Sequence, residues 1–443
     1  MTSDQRKQQN KWSPRAWHRK ASRPVTVWMA VFIAVGLTHT FIPEARWVMV
    51  HIFTLGILTN SIVVWSQNLT ERFLQARLRD ADRPPQLLRI RLLNLAIVFV
   101  VTGQLLAGLW EWHWVVTAVG ATAVAAVMAW HAVALASQIV TVDHTKRFYP
   151  AALGFICASL ALPLGALFGA ALAAGLPGQW QGRVLAAHVY INVGGFVGLT
   201  ALSALTVLLP AMWRARGVRN RASTSVALCA TGVVTAAAGA LLALPPLEAL
   251  GLFVYVAGWA WSLQGWLATL LGARRTPTYP ALSALASVAW LVAAQVAWGV
   301  QLVAGREMVP PTLMLLLGFA AQLLFGTMSF LLPTNMGGGP AAVRAGMRRF
   351  DTAGVFRFVV YNLALIVWLV TDSSWLRVVM SMLVFVVLVA FVPLMISAVK
   401  TQRAVMEGKQ EGPGVAYDPK AGRQTLAALG VVGALSAAIL LAL

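Results

Sequence analysis

The sequence predicts an all-α protein, a polytopic membrane bundle of about 12–13 transmembrane helices. Three observations carry that prediction. Of 443 residues, 59% are hydrophobic, about what thirteen membrane helices of ~20 residues consume. Charged residues make up 11%, against about 25% in soluble domains. Thirty of the 34 Lys and Arg fall in alternate connections between apolar runs. This balance excludes a disordered chain, collagen, a coiled coil and an ordinary soluble enzyme.

In chain order, the apolar runs place spans at roughly 25–42, 47–66, 92–110, 114–140, 150–175, 184–212, 222–243, 249–272, 280–304, 310–333, 355–371, 375–399 and 425–443. The first follows a basic leader with seven cations between Arg6 and Arg23. The second starts after Arg46, and Arg72, Arg77, Arg79, Arg83, Arg89 and Arg91 separate it from the third. The third and fourth meet at the short turn Glu111–Trp114. Lys146 and Arg147 precede the fifth, and Arg183 the sixth. Arg214, Arg216, Arg219 and Arg221 part the sixth from the seventh. Glu248 precedes the eighth, Arg274 and Arg275 follow it, and Arg306 and Glu307 follow the ninth. Arg344, Arg348, Arg349 and Arg357 lie between the tenth and eleventh, and Asp372 and Arg377 between the eleventh and twelfth. Lys400, Arg403, Lys409, Lys420 and Arg423 precede the last.

Only Arg46, Arg183, Arg306 and Arg377 occupy the opposite side. The positive-inside rule then puts the N-terminus in the cytoplasm of a cell-membrane protein and the C-terminus outside. The organisation expected is a basic N-terminal segment (1–24), twelve membrane helices (25–399), a polar cytoplasmic linker (400–424) and a C-terminal transmembrane helix (425–443). The leader is too long, and its first apolar run too extended, for a cleavable signal peptide. It reads as a mobile segment on the surface of an anionic bilayer. Cations segregated by loop, not gathered on a folded surface, exclude nucleic acid as the partner.

Cys157 and Cys229 lie inside apolar runs, where a small thiol packs. Neither stands in a CxxC or CxxCH context, which excludes a disulfide scaffold and a covalently attached c-type haem. A short internal repeat pairs Gly195–Pro210 with Gly318–Pro333. No Asp or Glu lies well inside a span. Glu44, Glu111, Glu248, Glu307 and Asp372 sit at outer edges, which counts against a proton-coupled transporter. Asn60, Gln104, Gln138, Asn192, Gln264, Gln295, Gln322 and Asn362 are expected to bond between helices.

The seven histidines are the most informative residues. His18 and His144 read as cytoplasmic surface residues. His39 lies near the outer end of the first span, and His113 in the Trp-rich turn Trp110–Trp114, whose indoles fit an interfacial belt. His51 and His188 each follow an outer-face Arg by five residues. At about 1.5 Å per residue both lie roughly 7–8 Å below the outer surface. His131 falls nearer mid-membrane. A neutral imidazole can be buried and still ligate iron, copper or zinc. Two from separate helices at equal depth suit axial ligation of a haem iron. Interhelical hydrogen bonding is the plainer role open to each of them.

Several stretches carry a resemblance. Arg46 to Ser66 (with His51, Gly56, Asn60 and Trp65), Trp130–Leu135 with His131, Ala187 to Pro210 with His188, and Gly318 to Pro340 resemble the second, fourth, sixth and tenth helices of an actinobacterial membrane module. That module is often fused to, or encoded beside, an extracytoplasmic cupredoxin-type copper oxidase or copper nitrite reductase. It is distantly similar to NnrS-type haem/copper membrane proteins and to the catalytic subunit of haem–copper oxidases and nitric oxide reductases. The resemblance implies a haem–copper oxidase subunit I-like bundle. Here His51 matches the second-helix ligand position and His188 falls on the sixth helix. The seventh span has no His pair, the tenth has no His, and the repeat puts Pro311 at the counterpart of His188. A complete dinuclear oxygen-reducing centre is therefore not expected.

The function expected is that of a membrane redox protein. It would hold b-type haem, or copper, through His51 and His188, with His131 and the candidate metal ligand His39 as a second set. Electrons would pass, from quinol by analogy, toward an extracytoplasmic copper enzyme, or serve nitric oxide or nitrite metabolism. The alternatives are a copper or haem transporter or assembly factor, with Met49, Met308, Met314 and Met328 as a soft-metal path, and a structural anchor in which the histidines are core residues.

Overall fold

The computed structural model describes residues 14–273, 277–306 and 309–442. Arg6, Arg274, Arg275, Glu307 and Met308 lie outside the described residues, which form helices and no strand. Among them, thirteen helices are long and apolar enough to cross a membrane. They are α1 (Ala16–Leu37), α2 (Ala45–Phe73), α3 (Asp80–Leu105), α4 (His113–Ile139), α5 (Tyr149–Ala174), α6 (Trp180–Trp213), α7 (Ala222–Leu242), α8 (Pro245–Gly272), α9 (Tyr279–Val303), α10 (Met314–Met336), α11 (Pro340–Val370), α12 (Ser374–Met406) and α13 (Ala421–Ala442). Each expected span overlaps one of them. The protein is a multi-pass helical bundle suited to a lipid bilayer, whose core leaves backbone polar groups no partner but the helix itself. The described residues form two compact units, one within Met1–Val207, Arg219–Gly265 and Gln295–Pro310, the other within Leu208–Val218, Trp266–Ala294 and Pro311–Leu443.

In the first unit, helices run further into the basic end than apolar runs alone predict. Arg83 and Arg89 belong to α3 and are buried. Arg83 forks onto Glu71 of α2, its two terminal nitrogens 2.9 and 2.7 Å from the carboxylate oxygens. It also lies over the Trp17 ring at 4.9 Å. A planar guanidinium matched to a carboxylate is how such a charge is kept out of water. Gln67 of α2 donates to Gln138 of α4, whose amide donates to the Ala76 carbonyl at 2.8 Å. Lys146 reaches the Leu74 carbonyl at 2.6 Å.

The leader differs from expectation. Pro14–Ala21 is helical, with Trp17 and Ala21 buried. His18, expected on the surface, is 6% exposed and meets the Trp65 ring edge-on at 4.6 Å. The adjacent Trp17 and His18 give this turn an aromatic face, and burying it outweighs hydration of one neutral imidazole. His144 is exposed, as expected.

The second unit is built around α10–α13. Its core joins Val360, Tyr361 and Leu365 of α11, Met380 and Val384 of α12, and Ala428 and Val432 of α13. The first leg of α11, Pro340–Phe350, is a basic amphipathic helix. Ala342, Ala345, Gly346 and Phe350 are buried, while Arg344, Arg348 and Arg349 lie on the other face. A turn at Ala353, in the left-handed region (φ 48°), joins it to Gly354–Val370. Gln402 of α12 donates to the Pro333 and Gly337 carbonyls at 2.9 and 2.8 Å, satisfying the end of α10. The connection before α13 is tied to this leg. Arg344 donates to Pro413 O (3.1 Å), and Arg348 to Gly414 O (2.6 Å) and Ala416 O (2.5 Å).

Three helices widen into π-turns, at Ile52–Thr59, Tyr190–Gly198 and Met314–Ala321. Each carries a glycine three residues before its end: Gly56, Gly195 and Gly318. Two of these glycines take an indole flat against the backbone. Trp28 of α1 covers Gly56 and donates to Asn94 of α3 at 2.6 Å. Trp290 of α9 covers Gly318 and donates to Asn362 of α11 at 2.8 Å. The Gly195–Pro210 and Gly318–Pro333 repeat thus extends to α2, and the lock recurs with the same three residue types. At the middle copy Gly195 faces Ala161 and Val233 instead.

A Cβ at Gly56 would stand 2.7 Å from the Trp28 ring, and one at Gly318 2.6 Å from Trp290. A bulky ring locked by a hydrogen bond cannot yield, so Gly56→Ala and Gly318→Ala are each expected to cost about 1–3 kcal/mol of stability. Gly430→Ala, with nothing within 4 Å, is expected to cost nothing. Thermal unfolding in detergent measures the contrast, and equal midpoints for all three would refute the lock.

Candidate functional site

His51 and His188 stand where α2 and α6 approach their π-turns, at the ends with few charges. π-turns concentrate at functional positions because they re-aim side chains. The His51 ring stacks on Trp47, centroids 3.6 Å apart and planes 19° apart. Its Nδ1 lies 2.9 Å from the Trp47 carbonyl. His188 Nδ1 lies 2.9 Å from the Gly165 carbonyl of α5. A carbonyl accepts only, so each Nδ1 carries the proton and each Nε2 keeps its lone pair. A metal-ligating histidine is oriented in the same way. The two imidazoles lie within electrostatic reach of one another.

Two glycines of α5 make room for the side chains of His188 and Asn192. A Cβ on Gly169 would approach its Cε1 to 3.0 Å, and one on Gly165 would collide with Asn192. Asn192 Nδ2 contacts both ring nitrogens at 3.2 Å, and its Oδ1 is buried without a hydrogen-bond partner. Two residues beyond His188, Tyr190 donates to Glu248 of α8 at 2.5 Å and packs on Trp298, centroids 4.4 Å apart. Glu248, expected at an outer edge, sits near the start of α8 yet is 8% exposed. Sequence reasoning missed Tyr190. Its only signal is a phenol in an otherwise apolar run next to a candidate ligand.

The other histidines stand apart. His131 is buried, and its Nε2 lies 3.0 Å from Ser66 Oγ. Ser66 is on the helix that carries His51, but on the order of 20 Å further along it at ~1.5 Å per residue. His131 is within electrostatic reach of Arg89, which is 4% exposed and lies over Trp130. His39 is exposed, with Nδ1 2.9 Å from the Gly36 carbonyl of its own turn. His113 Nδ1 is 3.2 Å from the Gly103 carbonyl. Trp110 and Trp112 are exposed, as an interfacial belt requires.

No group of three or more His, Cys, Asp or Glu placed to hold a metal ion occurs among the described residues. Neither His39 nor His131 thus completes a set of three with His51 and His188. Several of the amides expected to bond between helices do find partners across the bundle, Gln264 at an exposed position. Asn60 pairs with Asn94 (2.8 and 3.1 Å), Asn362 with Trp290, and Gln264 with Arg221.

No family model matches the chain, and no curated protein matches it.

Proposed function

We propose that this is a membrane redox protein that holds a b-type haem through His51 and His188 and passes electrons at its extracytoplasmic face. The observation that carries the reading is the matched pair. Two imidazoles from different helices lie within electrostatic reach of each other, each with Nδ1 on a backbone carbonyl, and the Nε2 of His188 meets the Asn192 amide that a metal would displace. The ligand count favours haem over bare copper. His51 and His188 would hold a haem, whose macrocycle supplies the iron's remaining donors, whereas a redox copper site of the blue-copper type would call on a further thiolate, which none of the described residues supplies there.

Bound there, the group would supply one-electron transfer. The chain supplies the rest. Trp47 fixes the plane of His51, and the Trp47 and Gly165 carbonyls fix both tautomers. The Tyr190–Glu248 pair is a polar group two residues from His188 that can hold a proton. The charge bias places these groups toward the outside, where a cupredoxin-type copper oxidase or nitrite reductase subunit would accept electrons and quinol in the bilayer would donate them. Purified protein should show a Soret band with low-spin bis-imidazole features and iron near one per chain. Protein carrying copper but no haem would replace this reading by metal transfer, and protein carrying neither would overturn it.

A further inference from the structure

The second unit contains a cleft of about 540 Å³ beside the Ala353 turn. Arg348, Lys420 and Arg423 bring three cations to its lining, Asp351 and Asp418 two acids, and Phe356 and Ala427 apolar surface, with Asp418 turned onto the Lys420 N–H at 2.8 Å. Arg348 is already engaged, since it donates to the Gly414 and Ala416 carbonyls and lies over Tyr417 at 5.3 Å. Lys420 and Arg423 are exposed, and neither side chain has a hydrogen bond or ion pair among the described residues. They flank the first turn of α13, whose free N–H groups favour an anion. Asp351 supplies the opposite chemistry. Its Oδ1 accepts the Tyr279 N–H at 2.7 Å, and the carboxylate, in a residue 5% exposed, also meets the Tyr417 hydroxyl, which leaves acceptor lone pairs for one further donor.

We propose that this cleft binds a phosphate ester that also carries a hydrogen-bond donor: a phospholipid headgroup of the ethanolamine or glycerol type. The phosphate would take Lys420 and Arg423, and the ammonium or hydroxyl arm would donate to Asp351 beside the Tyr417 hydroxyl. A lipid fits better than a free phosphate compound because apolar surface continues from the cleft. Phe356 and Ala427 share its lining, and Leu426 and Leu429 of α13 are 71% and 46% exposed beside it, a surface for acyl chains. The site is independent of the His51–His188 reading.

The test uses the full-length protein, delipidated in detergent and titrated with phosphatidylglycerol, phosphatidylethanolamine or phosphatidylcholine by native mass spectrometry. The parent is expected to prefer the first two over phosphatidylcholine, which has a phosphate but no donor. Lys420→Asn with Arg423→Gln is expected to weaken phosphatidylglycerol binding on the order of ten- to thirty-fold. Asparagine tolerates the left-handed backbone of Lys420 (φ 50°). Arg403→Gln, an exposed charge outside the cleft lining, should change binding less than twofold. A parallel arm measures the unfolding temperature in inorganic phosphate against chloride at equal ionic strength. If phosphate alone stabilises the parent and not the double variant, the site stands with a free phosphate as its ligand. Undiminished lipid binding by the double variant overturns the proposal, as does a parent that ignores phosphate and treats all three lipids alike.

Discussion

His51→Ala and His188→Ala are each expected to abolish the low-spin haem spectrum of the purified protein. Both imidazoles would hold the haem, and with either one gone the other would no longer keep it in the low-spin form. Neither substitution should unfold the chain. The His51 Nδ1 bond is to its own helix, and His188 gives up its bond to Gly165 and its contacts with Asn192, a loss of about 1–2 kcal/mol. His39→Ala and His131→Gln supply the contrast. His39 is exposed, and His131 is engaged with Ser66 far along α2, so both variants should keep the parent spectrum. Absorbance per mole of protein, read on all four beside their unfolding temperatures, separates loss of a ligand from loss of fold. A spectrum that persists without His51 or His188 would move the site elsewhere.

The largest expected effect on stability comes from Glu71. With side chains 3% and 13% exposed, the Arg83–Glu71 pair is held between α2 and α3. Glu71→Gln leaves a buried guanidinium without its counter-charge, at a cost of about 3–5 kcal/mol. Arg89 is the instructive opposite. It is as buried as Arg83 but forms no ion pair among the described residues, with Trp130 beneath it. Replacing an unpaired buried cation by an apolar side chain of similar length removes a desolvation cost. Arg89→Met should therefore unfold at or above the parent temperature. Chemical or thermal unfolding in detergent compares the two, and a Glu71→Gln variant as stable as the parent would refute the argument.

Much of the architecture was legible because a bilayer asks one simple thing of a sequence, about 20 apolar residues per crossing. Thirteen such stretches, bounded by Arg46, Arg183, Arg214 and their like, overlap the thirteen helices. The helix ends were not legible. Arg83 and Arg89 read as loop residues because an isolated Arg belongs in water. Only the Glu71 carboxylate and the Trp17 and Trp130 rings make their burial tolerable, and those partners are distant in sequence. His18 was misplaced for the same reason. At the candidate site, depth along two helices was countable from Arg46 and Arg183, so His51 and His188 stood out. Their electrostatic reach of each other, the Gly165 carbonyl behind His188 and the Tyr190–Glu248 bond depend on how α2, α5, α6 and α8 are arranged. Residue spacing along a single helix contains no information on that.

The π-turns bear on how the chain tolerates insertions and deletions. An α-helix advances about 100° per residue, so adding or removing one residue re-phases everything on one side of the change against everything on the other. Within Ile52–Thr59 or Tyr190–Gly198, the surplus residue is already absorbed as a bulge. Excising it would return the turn to a regular α-helix and leave the residues on either side near their present phase, because local under-winding has already taken up the extra rotation. The same deletion in the α-helical turns around it would carry the imidazole about a quarter-turn away from the helix face of Gly56 or Gly195. Loss of one residue is therefore expected to be tolerated inside these π-turns and not beside them.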